Sequence, residues 1–142
     1  MTMLARIRRH RTALAAALCL LGVAACKPDT TPPDAVFAQP GVVFTLSPPQ
    51  APDCRPESLY QGTISWSLSG RGPTRLEIRV DSRGGPEFLS TSDPEGSQDT
   101  GEWIRPGMWF LLVDSASDTV LATLRAGPKP CPAAGASADA AT

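Results

Sequence analysis

The stretch Thr63-Ile64-Ser65-Trp66-Ser67-Leu68 decides the fold class. Ile64, Trp66 and Leu68 fall on one side and Thr63, Ser65 and Ser67 on the other, the period of two that marks a half-buried β-strand. Arg75 to Asp81 repeats the pattern: Leu76, Ile78 and Val80 face one way, Arg75, Glu77, Arg79 and Asp81 the other. Working outward, Val42 to Ser47 reads as a first strand stopped by Pro48-Pro49, and Glu87 to Ser90 as a short edge strand. Thr100 to Ile104 reads as another strand, turned by Arg105-Pro106-Gly107. Met108 to Asp114 and Val120 to Ala126 are the most apolar segments, joined as a hairpin through Ser115-Ala116-Ser117-Asp118. Six or seven strands within about 90 residues, punctuated by Pro and Gly, predict an all-β, two-sheet antiparallel sandwich.

Ile64-Ser65-Trp66 resembles the tryptophan-bearing second strand of fibronectin type III and related immunoglobulin-like modules, and Leu76-Glu77-Ile78-Arg79-Val80 resembles their third. Thr100-Gly101-Glu102-Trp103, through Pro106-Gly107 to Phe110-Leu111-Leu112-Val113-Asp114, is similar to bacterial versions of this sandwich. The likeness spans roughly residues 42 to 131 and implies an immunoglobulin-like sandwich. It implies nothing specific about activity, because such sandwiches serve many functions. The cysteine pair that pins the two sheets of antibody-type domains is absent.

The N-terminal 25 residues have the three parts of a secretory leader. Arg6, Arg8, Arg9 and Arg11 form a basic start, Ala13 to Val23 an apolar run, and small residues precede Cys26. The apolar run is too short to span a bilayer, which takes roughly 20 residues. Val23-Ala24-Ala25-Cys26 resembles a bacterial lipobox, which implies cleavage before Cys26 and acylation of its thiol and amine. An ordinary signal peptidase site would also suit these small residues and would leave Cys26 a free thiol. Cysteine counting favours lipid: once Cys19 leaves with the leader, acylation of Cys26 leaves Cys54 and Cys131 to pair. Lys27 follows the cysteine in place of the Asp associated with inner-membrane retention, so the resemblance implies an outer-membrane anchor facing the periplasm or the cell surface.

Lys27 to Pro40 carries Pro28, Pro32, Pro33 and Pro40 and reads as an extended tether, at ~3.1 Å per residue long enough to hold a domain roughly 40 Å from the lipid. The expected organisation is a leader over 1–25, lipidated Cys26 and tether over 26–40, sandwich over 41–131 and a disordered Ala/Ser/Gly tail over 132–142. Cys54 and Cys131 lie outside the strands, in the first loop and just after the last strand. In an immunoglobulin-like topology these places share one pole, so a structural disulfide is expected there. A redox pair would more naturally be a close Cys-x-x-Cys, and a metal site would need further ligands.

Composition narrows the chemistry. Four of the thirteen basic residues lie in the leader, so the mature portion carries nine against fourteen acidic, a formal net charge of −5. Such a chain is a poor match for nucleic acid, where affinity rests on neutralising phosphates. The single histidine, His10, also leaves with the leader, which removes Ser-His-Asp catalysis and His-dependent zinc sites. Asp93, Glu95, Asp99 and Glu102 cluster in sequence and are the candidate oxygens for calcium or for a carboxylate-dependent hydrolase, but their spacing does not match the twelve-residue calcium loop. A solvated acidic loop is the plainer expectation.

The remaining question is aromatic. In Met108 to Asp114 both faces are apolar: with Phe110 and Leu112 inward, Trp109, Leu111 and Val113 line the outer face. That face is the candidate partner surface, unless the tether, the tail or a loop covers it. Trp103 either extends the patch or plugs the end of the sandwich. The sequence therefore predicts a lipid-anchored envelope module without catalysis, cofactor or metal, presenting a sandwich surface to an envelope protein or glycan. A calcium-dependent adhesive module and a small hydrolase are the alternatives.

Overall fold

In the computed structural model, which describes residues 27–70, 72 and 74–132, the alternating segments pair so that apolar positions meet apolar positions. β2 (Val42–Ser47) and β3 (Thr63–Leu68) run antiparallel with Val42 opposite Leu68, Phe44 opposite Trp66 and Leu46 opposite Ile64. The intervening pairs are Val43 with Ser67, Thr45 with Ser65 and Ser47 with Thr63, and these point outward. β6 (Glu95–Asp99) adds the third strand of this smaller sheet, in the order β2-β3-β6. The larger sheet has the order β1-β8-β7-β4-β5, from β1 (Phe37–Ala38), β4 (Leu76–Val80), β5 (Glu87–Thr91), β7 (Trp109–Asp114) and β8 (Thr119–Arg125). All pairings between these strands are antiparallel. The result is the all-β, two-sheet antiparallel sandwich that the alternation predicts.

Between the sheets lies one core. Phe110, Ile64, Leu76, Ile78, Ile104, Leu112 and Leu121 are its most completely buried side chains, each contributing roughly 1.5–3 kcal/mol of hydrophobic stabilisation. β8 departs from simple alternation because its register with β7 shifts between Leu112 and Val113. Leu112 faces Ala122 and Val113 faces Val120, which leaves Leu121 as the extra residue of a bulge and lets both Leu121 and Ala122 enter the core.

One strand lies earlier than the sequence pattern indicates. Glu95–Asp99 forms β6, whereas Thr100 to Ile104, expected as a strand, is a loop held at two points. Thr100 is buried and its hydroxyl accepts from the Gly62 amide (3.0 Å) and donates to the Gly62 carbonyl (3.1 Å); Ile104 bridges to Tyr60. β6 shows no apolar alternation because its position opposite Trp66 is Gly96. A Cβ there would come within 2.5 Å of the indole, so the strand's contribution to the core is room for that ring.

The Pro-rich segment is not a free tether. Asp29 to Ala38 crosses the outer face of the larger sheet, from the β4–β5 turn to the β8 edge. The Gly84 amide donates to the Asp29 carbonyl (2.7 Å), and the Phe37 amide donates to Thr123 Oγ1 (3.1 Å), whose hydroxyl donates to the Ala35 carbonyl (2.7 Å). β1 then pairs with β8, Phe37 opposite Thr123. The physical reason is that proline lacks only the N–H. An extended, proline-rich strap keeps its carbonyls, and those are the groups that accept from the domain. The expected leader, Cys26 and nearly all of the expected tail lie outside the described residues.

Candidate partner surface

The outer face of the larger sheet carries the residues nominated as a partner surface, and its construction follows from register. On β7, Phe110 and Leu112 belong to the core, so Trp109, Leu111 and Val113 point outward. Their lateral neighbours are Arg125, Thr123 and Val120 on β8, and Arg79 and Glu77 on β4 beside Leu111 and Val113. Outward does not mean exposed here: Leu111 and Val113 each retain only 3% of their accessible surface. Leu111 forms part of the floor of a cavity of about 460 Å³ beneath the strap, with Val120 and Thr123 beside it and Asp29, Pro32, Pro33 and Phe37 among its walls. The cover anticipated as one alternative is thus supplied by the segment expected to be a tether.

Charged side chains complete this face. Glu77 and Arg79 form a half-buried ion pair, with Glu87 a further 3.8 Å from the guanidinium. Arg83 leaves the β4–β5 turn and reaches Asp118 in the β7–β8 turn (2.5 Å), binding its backbone carbonyl as well. Asp29, beside Arg83, is held below the usual carboxylate range, first by hydrogen bonds from the Thr31 amide and side chain and then by that guanidinium. The exposed Arg83–Asp118 pair contributes little by itself, of order 0–1 kcal/mol. Its role is positional: Arg83 ties the β4–β5 turn to the β7–β8 turn beside the apolar floor.

Trp109 is the part of the face that stays accessible. It is half-buried, with the Arg125 guanidinium 5.4 Å from the ring centroid, a cation–π arrangement. Its backbone is clamped by Asp81: the Asp81 amide donates to the Trp109 carbonyl (2.9 Å) and the carboxylate accepts from the Trp109 amide (3.2 Å). Asp81 adopts φ +64° to do so and also pairs with Arg105 (3.3 Å). Pro32, Arg105, Met108, Trp109 and Arg125 border an open hollow of about 530 Å³.

Trp103 does not extend this patch. Its ring meets Phe88 edge-on (centroids 5.5 Å apart) and lies 6.0 Å from the core-facing Phe110. It therefore plugs the sandwich from the core side of β7, while Trp109 occupies the outer side. With Val80, Pro86, Phe88 and Met108 it borders an apolar hollow of about 270 Å³.

The cysteines meet as the sequence predicts. Cys54 and Cys131 form a disulfide with Cα atoms 4.9 Å apart. The flanking segments are zipped independently: the Gly127 amide donates to the Pro49 carbonyl (2.8 Å) and the Ala51 amide to the Gly127 carbonyl (3.1 Å). Next to Cys54, Asp53 accepts from the Arg55 guanidinium, from the Ser58 hydroxyl and from the Arg55 amide, which together hold its carboxyl far below the usual range.

Asp93, Glu95, Asp99 and Glu102 do not assemble into one site. Asp99 accepts from the Thr63 hydroxyl (2.6 Å) on the outer face of the smaller sheet, and the Asp93 carbonyl takes the indole N–H of Trp66 (3.0 Å). Among the described residues no group of three or more His, Cys, Asp or Glu is placed to hold a metal ion. Sequence reasoning missed the strap residues and Arg83, Arg105 and Arg125. Their one trace was indirect, the apolar second face of β7 that demanded a cover. Comparison with protein-family models, curated proteins and solved structures found no significant match to this chain.

Proposed function

We propose that this chain is a lipid-anchored module of the bacterial cell envelope, without catalysis of its own, whose sandwich presents a surface to an envelope protein or glycan. The observation that carries this reading is the Cys54–Cys131 bridge. It accounts for two of the three cysteines that follow the leader and leaves Cys26, at the end of the lipobox-like Val23-Ala24-Ala25, as the one free to take lipid. A disulfide joining residues 77 apart also fits an oxidising compartment such as the periplasm. With Leu111, Val113 and Trp103 all packed against other groups, the interacting surface is sought on the outer face of the smaller sheet, which stays accessible.

The test is the mass of the N-terminal peptide from full-length protein made in a Gram-negative host. The expected peptide begins at Cys26 and carries diacylglyceryl and amide-linked acyl groups, and a Cys26→Ser chain lacks them. A mature peptide beginning elsewhere, or beginning at an unmodified Cys26, overturns the reading.

A further inference from the structure

We infer that the strap turns the lipid anchor into an orienting device: the anchored domain lies against the membrane surface with the outer face of its larger sheet, and turns the smaller sheet away. This rests on acylation of Cys26 and says what that anchor does to the domain.

The first support is chain length. A free 14-residue tether would let the domain drift roughly 40 Å from the lipid in any orientation. Instead, Asp29 is fixed against Gly84 by the 2.7 Å hydrogen bond, and the fit is close enough that a Cβ on Gly84 would stand 2.7 Å from both the amide nitrogen and the carbonyl oxygen of Asp29. Cys26 precedes Asp29 by three residues, which span about 10 Å at full extension. The lipid attachment point is thereby confined to the neighbourhood of the β4–β5 turn and of the sheet face that turn overhangs.

The second support is where exposed apolar side chains fall. Among the described residues the exposed large hydrophobics are Val36, Phe37, Val43 and Leu59. Two of them, Val36 and Phe37, with 62% and 44% of their surface accessible, sit on the strap itself, within eleven residues of Cys26. An apolar side chain on the segment that carries the acyl chains can enter the headgroup region when the chains insert. The opposite side has the reverse character. The outward residues of the smaller sheet include Thr45, Ser65, Ser67, Glu95, Ser97 and Asp99 around one exposed apolar side chain, Val43, a surface mainly of hydroxyls and carboxylates with no cation on any of its strands. That surface is suited to water, and sheet packing puts it about 10 Å beyond the core-facing plane of the larger sheet.

The probe is full-length, acylated protein reconstituted in phosphatidylethanolamine/phosphatidylglycerol vesicles that contain a headgroup-nitroxide lipid. A fluorophore is attached through Val36→Cys in one sample and Ser65→Cys in another, with the Cys54–Cys131 bridge closed. The expected result is several-fold stronger quenching at position 36 than at position 65. Introducing Gly84→Val, which drives a side chain into the Asp29 backbone, should abolish that difference while the acyl mass of the N-terminal peptide stays the same. Equal quenching at the two positions in acylated protein, stronger quenching at 65, or a difference that survives Gly84→Val, overturns the orientation and leaves the anchor standing. An N-terminal peptide without acyl mass removes the anchor and the orientation together.

Discussion

The two outer faces of the sandwich obey different rules. On the smaller sheet β2 and β3 alternate plainly: Val42, Phe44, Leu46, Ile64, Trp66 and Leu68 go in, and Val43, Thr45, Ser47, Thr63, Ser65 and Ser67 go out to water. On the larger sheet β7 is apolar on both sides, and Leu111 and Val113 are as buried as core residues although they point away from the core. Over Leu111 the difference is a third layer, ten residues of strap, which has no periodicity of its own. Alternation in a strand therefore reports how many sides are covered, and two apolar sides signal a cover located elsewhere in the chain.

That contrast can be broken experimentally, beginning with what both faces share. The disulfide closes the pole where the loop between β2 and β3 meets the end of β8, and so ties the smaller sheet to the larger. Replacing Cys54 and Cys131 by Ser should cost up to about 4.5 kcal/mol by the loop-entropy estimate, read as the difference in unfolding free energy between oxidised wild type and the double variant. A loss below about 1 kcal/mol would mean that the Pro49–Gly127 and Ala51–Gly127 hydrogen bonds already hold that pole.

The faces themselves are compared by matched truncations. Leu111→Ala should destabilise by about 2 kcal/mol, the low end for a buried leucine because the strap can partly collapse, whereas Ser65→Ala should stay within about 0.5 kcal/mol. Urea denaturation of both variants decides the matter. If Leu111→Ala proves as mild as Ser65→Ala, the strap does not bury the outer face in solution.

The smallest effect is a pH dependence at the disulfide pole. The carboxyl of Asp53 is held below its ordinary value near 3.8 by the Arg55 side chain, then by the Ser58 hydroxyl and the Arg55 amide. A group depressed in the folded state releases its proton more readily there than in the unfolded chain, so its contribution is complete above about pH 4 and fades as pH falls below that. Wild type should therefore lose part of its margin over Asp53→Asn between pH 4 and pH 2 in thermal melts. Parallel pH profiles for the two proteins would show that the Asp53 contacts add nothing to stability.

Much of this architecture could be read from residues 42–47, 63–68 and 76–80, because half-burial imprints a period of two on the sequence, and from 109–125, because two continuous apolar runs flank a polar turn. β6 could not, since its inward neighbour of Trp66 is Gly96, and an absent side chain leaves no hydrophobic mark. The strap was hidden for a related reason. It binds through backbone carbonyls of Asp29 and Ala35, which every residue has, so its Pro, Thr and Asp content looks the same whether it is docked or free. Within the candidate surface, Trp109 was identified correctly as an outward residue, and Trp103 was separable from it only in three dimensions, by its packing on Phe88 and Phe110.

The pairing of β1 with β8 carries a consequence for the order of events during biogenesis. Phe37 and Ala35 find their partner in Thr123, 86 and 88 residues further along the chain. A segment that leaves the ribosome first must wait for nearly the whole domain before it can dock, and contacts of such separation form late. Through that interval the outer side of β7 is bare, and the new chain is at its most adhesive while its two ends are still apart.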